Sequence, residues 1–224
     1  MPGQEVELFD GSGNLAYGRI ESVHRGHFTV RTHHLTHSPR PPGGQIILAV
    51  SLAKGERFDW LIEKCCELGA DRICPIRFAR TAKLGGAPAA ADRYERLAIA
   101  AAKQCGRLYL PQIDPPANLD ESLQRLQRDH PQARHVVGVL APEAPSAAHY
   151  RPTGDTVAWV GPEGGLAPEE EEMLRRHGAQ PVRLTLTTLR TETAALALAA
   201  LLCTARDASH APPSPRPPDP PANP

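Results

Sequence analysis

The chain has 224 residues, enough for one substantial core or for one main domain with a small companion. Its 25 Lys and Arg balance 25 Asp and Glu, so no global field draws it to nucleic acid. It shows no apolar signal segment, no run long enough to cross a bilayer and no Cys-x-x-Cys pair among cysteines 65, 66, 74, 105 and 203; this points away from secreted, disulfide-stapled and membrane-spanning proteins and predicts a reduced cytoplasmic compartment.

The first forty residues read as short strands at Glu5–Phe9, 15–23 and 27–31. Asp10-Gly11-Ser12-Gly13-Asn14 makes a hairpin-like turn between the first two, and residues 39–44 read as a linker. Residues 45–52 are a continuous apolar run, as in a strand covered on both faces. Phe58, Leu61, Ile62, Cys65 and Leu68 then recur at helical spacing, and Gly69 stops that helix.

Alternation continues with a strand at 72–78, helices at 92–107 and Leu119–Asp129, and a strand at 135–140. Buried strands at Thr156–Val160 and 181–186 each lead into a helix, the first opening at Pro168 and the second at Thr191. The pattern predicts an α/β fold with a largely parallel sheet. The proline-rich tail, residues 209–224, cannot bury enough apolar area to offset its ordering entropy and is expected to be disordered.

Two strand-to-helix turns have special composition. One is Val160-Gly161-Pro162-Glu163-Gly164-Gly165, the other Leu189-Arg190-Thr191-Glu192-Thr193-Ala194-Ala195. Ligands of open α/β sheets bind beyond the carboxyl ends of the strands, and glycines let backbone approach them closely. Together the two turns point to one small-molecule site. Either alone reads as a mere turn or helix start.

Other chemistries find less support. His33, His34 and His37 lack the second pair of a metal site, so no metal is expected. The cysteines read as small core residues, and no phosphate-binding Gly-x-x-x-x-Gly-Lys-Ser/Thr loop exists. Between residues 51 and 110 basic side chains outnumber acidic ones, whereas carboxylates gather at Glu169, Glu170, Glu171 and Glu172. That asymmetry permits a basic face.

Both turns, in this order, resemble the ribosomal RNA small subunit methyltransferase E family of knotted (SPOUT) methyltransferases. Further matches are Lys54-Gly55-Glu56-Arg57-Phe58-Asp59-Trp60, Glu67-Leu68-Gly69-Ala70 and Ala101-Ala102-Lys103-Gln104-Cys105-Gly106-Arg107. The resemblance spans about residues 45–206, with a weaker echo at 5–18. It implies a trefoil-knotted methyltransferase domain over residues 45–208, preceded at 1–40 by part of a small PUA-like RNA-binding β-barrel. Met1 enters that barrel partway through, so the barrel is either incomplete or starts upstream.

The resemblance also implies S-adenosylmethionine as methyl donor, N3 of a uridine in 16S rRNA of the small ribosomal subunit as acceptor, and a homodimer that completes the site. By motif, the donor would lie against Leu140, Gly161, Pro162, Glu163, Gly164, Gly165, Leu184, Leu189, Thr191, Thr193 and Ala194. The family commonly has serine where Ala167 stands, and a helix lacking such a cap loses roughly 1 kcal/mol. It usually places glycine, proline and arginine where Thr185, Leu186 and Thr187 stand, so Thr185 is expected to crowd the donor and a basic contact is missing.

Methylating N3 requires removing its proton and exposing the Watson–Crick edge, so the base must leave its stack. Glu163 and Glu192 are the available carboxylates, and Arg190 suits developing charge on the uracil or a phosphate. The alternative for Arg190-Thr191-Glu192 is helix-start chemistry, with Thr191 as cap and Glu192 meeting the dipole. Lys54, Arg57, Lys103 and Arg107 are the candidates for RNA phosphate contact. Two other readings remain at this stage: a knotted methyltransferase of another RNA, and a non-catalytic RNA-binding or ribosome-assembly module.

Overall fold

The computed structural model describes residues 1–53, 55–81 and 90–208. Lys54 and the proline-rich tail therefore lie outside the described residues.

The chain opens with β1 (Glu5–Phe9), β2 (Asn14–His24) and β3 (His27–His37), an antiparallel sheet in the order β1-β2-β3. The predicted turn forms, with Asp10 Oδ1 accepting from the amides of Ser12 and Asn14. β3 continues to His37 instead of stopping at residue 31; nearly all its side chains are exposed, so no alternation marks its length. This small antiparallel sheet fits a β domain at the N-terminus. It is tethered to the turn after α2 by Leu110 N donating to Gly11 O (3.0 Å), Gly13 N to Leu108 O (3.1 Å) and Tyr109 Oη to Ser38 O (2.7 Å).

The rest alternates: β4 (Ile46–Ser51), α1 (Glu56–Glu67), β5 (Arg72–Arg77), α2 (Ala90–Cys105), short β6 (Gln112–Ile113) and β7 (Ala117–Asn118), α3 (Leu119–Asp129), β8 (Arg134–Val139), β9 (Thr156–Val160), α4 (Pro168–Arg176), β10 (Gln180–Arg183) and α5 (Thr191–Ala208). Every pair in this sheet is parallel, in the order β10-β8-β9-β4-β5-β6, with β7 also on β5. The α/β expectation holds.

Each central strand is buried throughout because helices cover both faces. Side chains alternate between the layers. Ile46, Leu48 and Val50 of β4 meet α1 (Phe58, Leu61, Ile62) and α5 (Leu198, Leu202) on one face. Ile47 and Ala49, with Trp159 of β9, meet α3 (Leu123, Leu126) and Leu174 of α4 on the other.

The crossover after β4 runs through α1 to β5, whereas that after β9 runs through α4 to β10, on the opposite side. β4 and β9 are neighbours, so the strand order reverses between them. Their carboxyl ends diverge there and leave a crevice. The two special turns begin at this crevice.

The opposite end of the sheet is held by charge. Asp71, just before β5, accepts from Ile46 N (2.9 Å), Arg206 Nη1 (2.6 Å) and Arg107 Nη2 (3.2 Å). Arg107 also donates to Cys66 O at 3.0 Å, and its side chain is only 14% exposed. The guanidinium of Arg107, expected to contact RNA, is engaged by the fold at the amino ends of the strands.

The second predicted strand also changes. β10 ends at Arg183, and residues 184–190 leave the sheet although their Leu and Thr content favours strand. Thr185 Oγ1 donates to Thr187 O (2.7 Å) and so bends the segment into a local turn.

Candidate active site

Three loops at the carboxyl ends of β8, β9 and β10 enclose a cleft of about 420 Å³. Leu140 follows β8, residues 161–166 follow β9, and Leu184, Thr185, Thr188 and Leu189 follow β10, with Thr191 and Ala194 of α5 closing the floor. Thr191 Oγ1 donates to Gly161 O at 3.2 Å and joins two of the loops. The hydroxyl expected to cap a helix is thus a crosslink between turns. Arg190 precedes the helix, and its carbonyl accepts from Ala194 N at 2.9 Å.

The glycines earn their places by geometry. Gly165 has φ +74°, which lets its amide turn back onto Pro162 O at 2.8 Å. A Cβ on Gly161 would stand 3.0 Å from Leu166 Cδ2 and push that side chain. Ala167 offers no capping oxygen at the start of α4, and Glu170 Oε2 accepts from its amide instead (2.9 Å).

Of the residues expected around the donor, Leu140, Gly161, Pro162, Glu163, Gly164, Gly165, Leu184, Leu189, Thr191 and Ala194 line this cleft. Thr193 does not; it faces outward on α5 and is exposed. Gly138, Val139, Val160, Leu166, Glu171, Thr185 and Thr188 also line it. Of these, Thr185 lies in the segment read as strand and departing from the family pattern, Thr188 just beyond it, and Glu171 in the acidic run.

A second pocket, of about 350 Å³, adjoins the first. Its far wall is Ser51 at the end of β4, Leu52 and Ala53 after it and Arg57 at the start of α1, together with Arg80 after β5. Its near wall is Pro162, Glu163, Gly164 and Thr191, all shared with the first cleft. Glu192 completes it.

Charges are concentrated in this second pocket. Arg57 Nη1 lies 3.7 Å from Glu163 Oε1, and its Nε lies 3.9 Å from Glu192 Oε1. Glu192 is the sheltered carboxylate, its side chain 10% exposed against 60% for Glu163. Arg80 was not singled out by the sequence; its Nη1 donates to Gly164 O (2.9 Å) and Leu166 O (3.1 Å). Arg190 is exposed and lines neither pocket. Lys103 is exposed on α2.

Residues 39–203 match the family described as the RNA methyltransferase domain. The ribosomal RNA small subunit methyltransferase E of Mycobacterium bovis is 35% identical over 87% of this chain and 76% of its own length. The chain belongs to the ribosomal RNA small subunit methyltransferase E family. Solved structures of similar proteins carry the same fold. The ribosomal RNA small subunit methyltransferase E of Neisseria gonorrhoeae, bound to S-adenosyl methionine, aligns with TM-score 0.78 and 29% identity over 89% of this chain and 82% of that one. A probable rRNA-methyltransferase from Porphyromonas gingivalis aligns with TM-score 0.82 and 25% identity over 94% of this chain and 88% of that one. As a member of this RNA methyltransferase family, the chain carries two adjoining pockets that meet along one glycine-rich wall.

Proposed function

We propose that this protein methylates N3 of a uridine in 16S rRNA, with S-adenosylmethionine in the first cleft and the target base in the second. The observation that carries the reading is the shared wall at Pro162, Glu163, Gly164 and Thr191, which sets the two pockets side by side.

The residues of the first cleft suit the donor. Its volume lies within the roughly 300–1,000 Å³ of small-molecule sites. Val139, Leu140, Leu166, Leu184 and Leu189 supply apolar walls for a purine. Glu163 and Glu171 are carboxylates suited to a cationic ligand. Thr185, expected to crowd the site, turns its hydroxyl onto Thr187 O and lines a cleft that stays open. This favours an active enzyme over the non-catalytic module.

The donor supplies an electrophilic methyl group on a sulfonium. The chain's own residues hold the acceptor and manage its proton. Glu192, in the second pocket beside Arg57, accepts the N3 proton and so leaves the nitrogen pair free for the methyl group that the donor would supply. Arg57 balances the anionic uracil, and Glu163, at the shared wall, helps keep Arg57 in place. Alignment of donor and acceptor across one wall supplies much of the acceleration.

Exposed Leu140 (55%) and Leu186 (78%) support a second copy of the chain as partner. No described helix is long and apolar enough to cross a membrane, and with rRNA as substrate the proposed location is the cytoplasm.

Two experiments test the reading. Calorimetry should show S-adenosylmethionine binding to the purified chain. Mass mapping of 16S rRNA from cells with and without the protein should show one methylated uridine lost without it. Loss of a methyl group from a different RNA would sink the substrate assignment.

A further inference from the structure

Arg80 lies just beyond β5, yet its guanidinium reaches across to the β9 loop. One nitrogen, Nη1, donates to both Gly164 O (2.9 Å) and Leu166 O (3.1 Å). Its side chain also covers the glycines: a Cβ on Gly164 would meet Arg80 Cβ at 3.6 Å, and one on Gly165 would meet Nη1 at 3.8 Å. The segment it grips is the wall between the pockets. Its own turn is pinned from behind, because Ala79 N donates to Glu170 Oε1 (2.7 Å) and Thr81 Oγ1 meets Ser51 Oγ (3.0 Å). Arg80 is thus a fixed arm on a fixed base.

A guanidinium carries five N–H donors, and Nη1 provides two of them. Among the described residues, the Nε and Nη2 donors have no hydrogen-bond partner, while the side chain lines the second pocket. That pocket thus has a planar cationic fork available for a uracil carbonyl or a nucleotide phosphate.

We propose that Arg80 is a positioning residue that holds the Gly164–Leu166 wall in its binding shape and offers its remaining donors to the acceptor nucleotide, so that donor and acceptor bind cooperatively. This rests on the two-pocket assignment above. Lysine cannot replace it, because its ammonium ends one bond short of Nη1 and carries no second nitrogen to turn toward a ligand.

The test compares wild type with Arg80→Ala and Arg80→Lys. Amide hydrogen exchange on the unliganded proteins should be at least about tenfold faster at residues 163–167 in both variants, with β9 unchanged. By calorimetry, S-adenosylmethionine affinity should fall about tenfold in both. With wild type, S-adenosylmethionine should tighten binding of a 16S rRNA fragment, and in Arg80→Ala that tightening should vanish. KM for both substrates should rise more than kcat falls. Unchanged loop exchange in Arg80→Ala, or full recovery in Arg80→Lys, overturns the proposal. Wild type that binds no S-adenosylmethionine overturns the functional reading instead, and loop exchange still judges the arm.

Discussion

Thr191 and Gly161 are 30 residues apart in sequence, and the Thr191 hydroxyl donates to the Gly161 carbonyl at 3.2 Å. That bond ties the start of α5 to the loop after β9, and both residues line the two sides of one cleft. The contact lies where the strand order reverses, so it fixes the spacing between elements that the sheet alone leaves apart.

Thr191→Val keeps the shape and removes the donor. A net hydrogen bond contributes about 1 kcal/mol, so stability should fall by about that amount. S-adenosylmethionine affinity should drop about fivefold to tenfold, because the loops no longer hold their spacing. Calorimetry and thermal melting measure the two effects. Unchanged donor affinity would confine the bond to a structural role.

Glu192→Gln is nearly isosteric and removes the sheltered carboxylate. If Glu192 takes the N3 proton, kcat should fall by about 10²–10⁴-fold, while S-adenosylmethionine affinity stays within about twofold. Single-turnover methylation of a 16S rRNA fragment checks it. The same loss in Glu163→Gln, with Glu192→Gln active, would transfer the role to Glu163.

Arg107→Ala should weaken the fold and leave the RNA footprint intact. It removes a donor from Asp71, which is left with Arg206 and Ile46 N among its close partners, and strips the cap from Cys66 O. A cost of about 1–3 kcal/mol is expected in denaturant unfolding. The salt dependence of RNA binding should keep its slope. A flattened slope would return Arg107 to the RNA surface.

His135 makes the fold sensitive to acid. Burial pushes its ring down to about 4 from an ordinary 6.5, with His177 adding like-charge repulsion. Trp159 Nε1 donates to His135 Nδ1 at 3.1 Å, which requires the neutral ring. Below pH 6.5 the unfolded chain takes up a proton that the folded chain refuses until about pH 4. Stability is therefore complete above pH 6.5 and declines as pH falls through that window, by up to about 3 kcal/mol. Unfolding free energies between pH 7 and 4.5 should show the slope. His135→Gln, which keeps an acceptor for Trp159, should reduce it.

Much of the architecture was legible. Apolar runs at β4 and β9 announced strands covered on both faces, and the glycine-rich turn with its threonine-marked counterpart pointed to the crevice where the first cleft lies. The segment after β10 misled, because Leu184 and Thr185 have strand propensity and the bond from Thr185 to Thr187 O is not visible in composition. Arg107 misled for a related reason. A basic residue after a helix reads as solvent-facing until Asp71, far off in sequence, is seen to claim it.

The amino-acid order by itself determined the parallel α/β layers, the two turns and the family they resemble, because hydrophobic period and turn chemistry are local properties of the chain. Tertiary structure alone decided which charges gather around the two pockets. It tied Arg107 to Asp71, left Arg190 outside, and brought Arg57, Arg80 and Glu192 around one wall. Pairings between distant segments are set by how strands are ordered in the sheet, and that order is written in no single stretch of sequence.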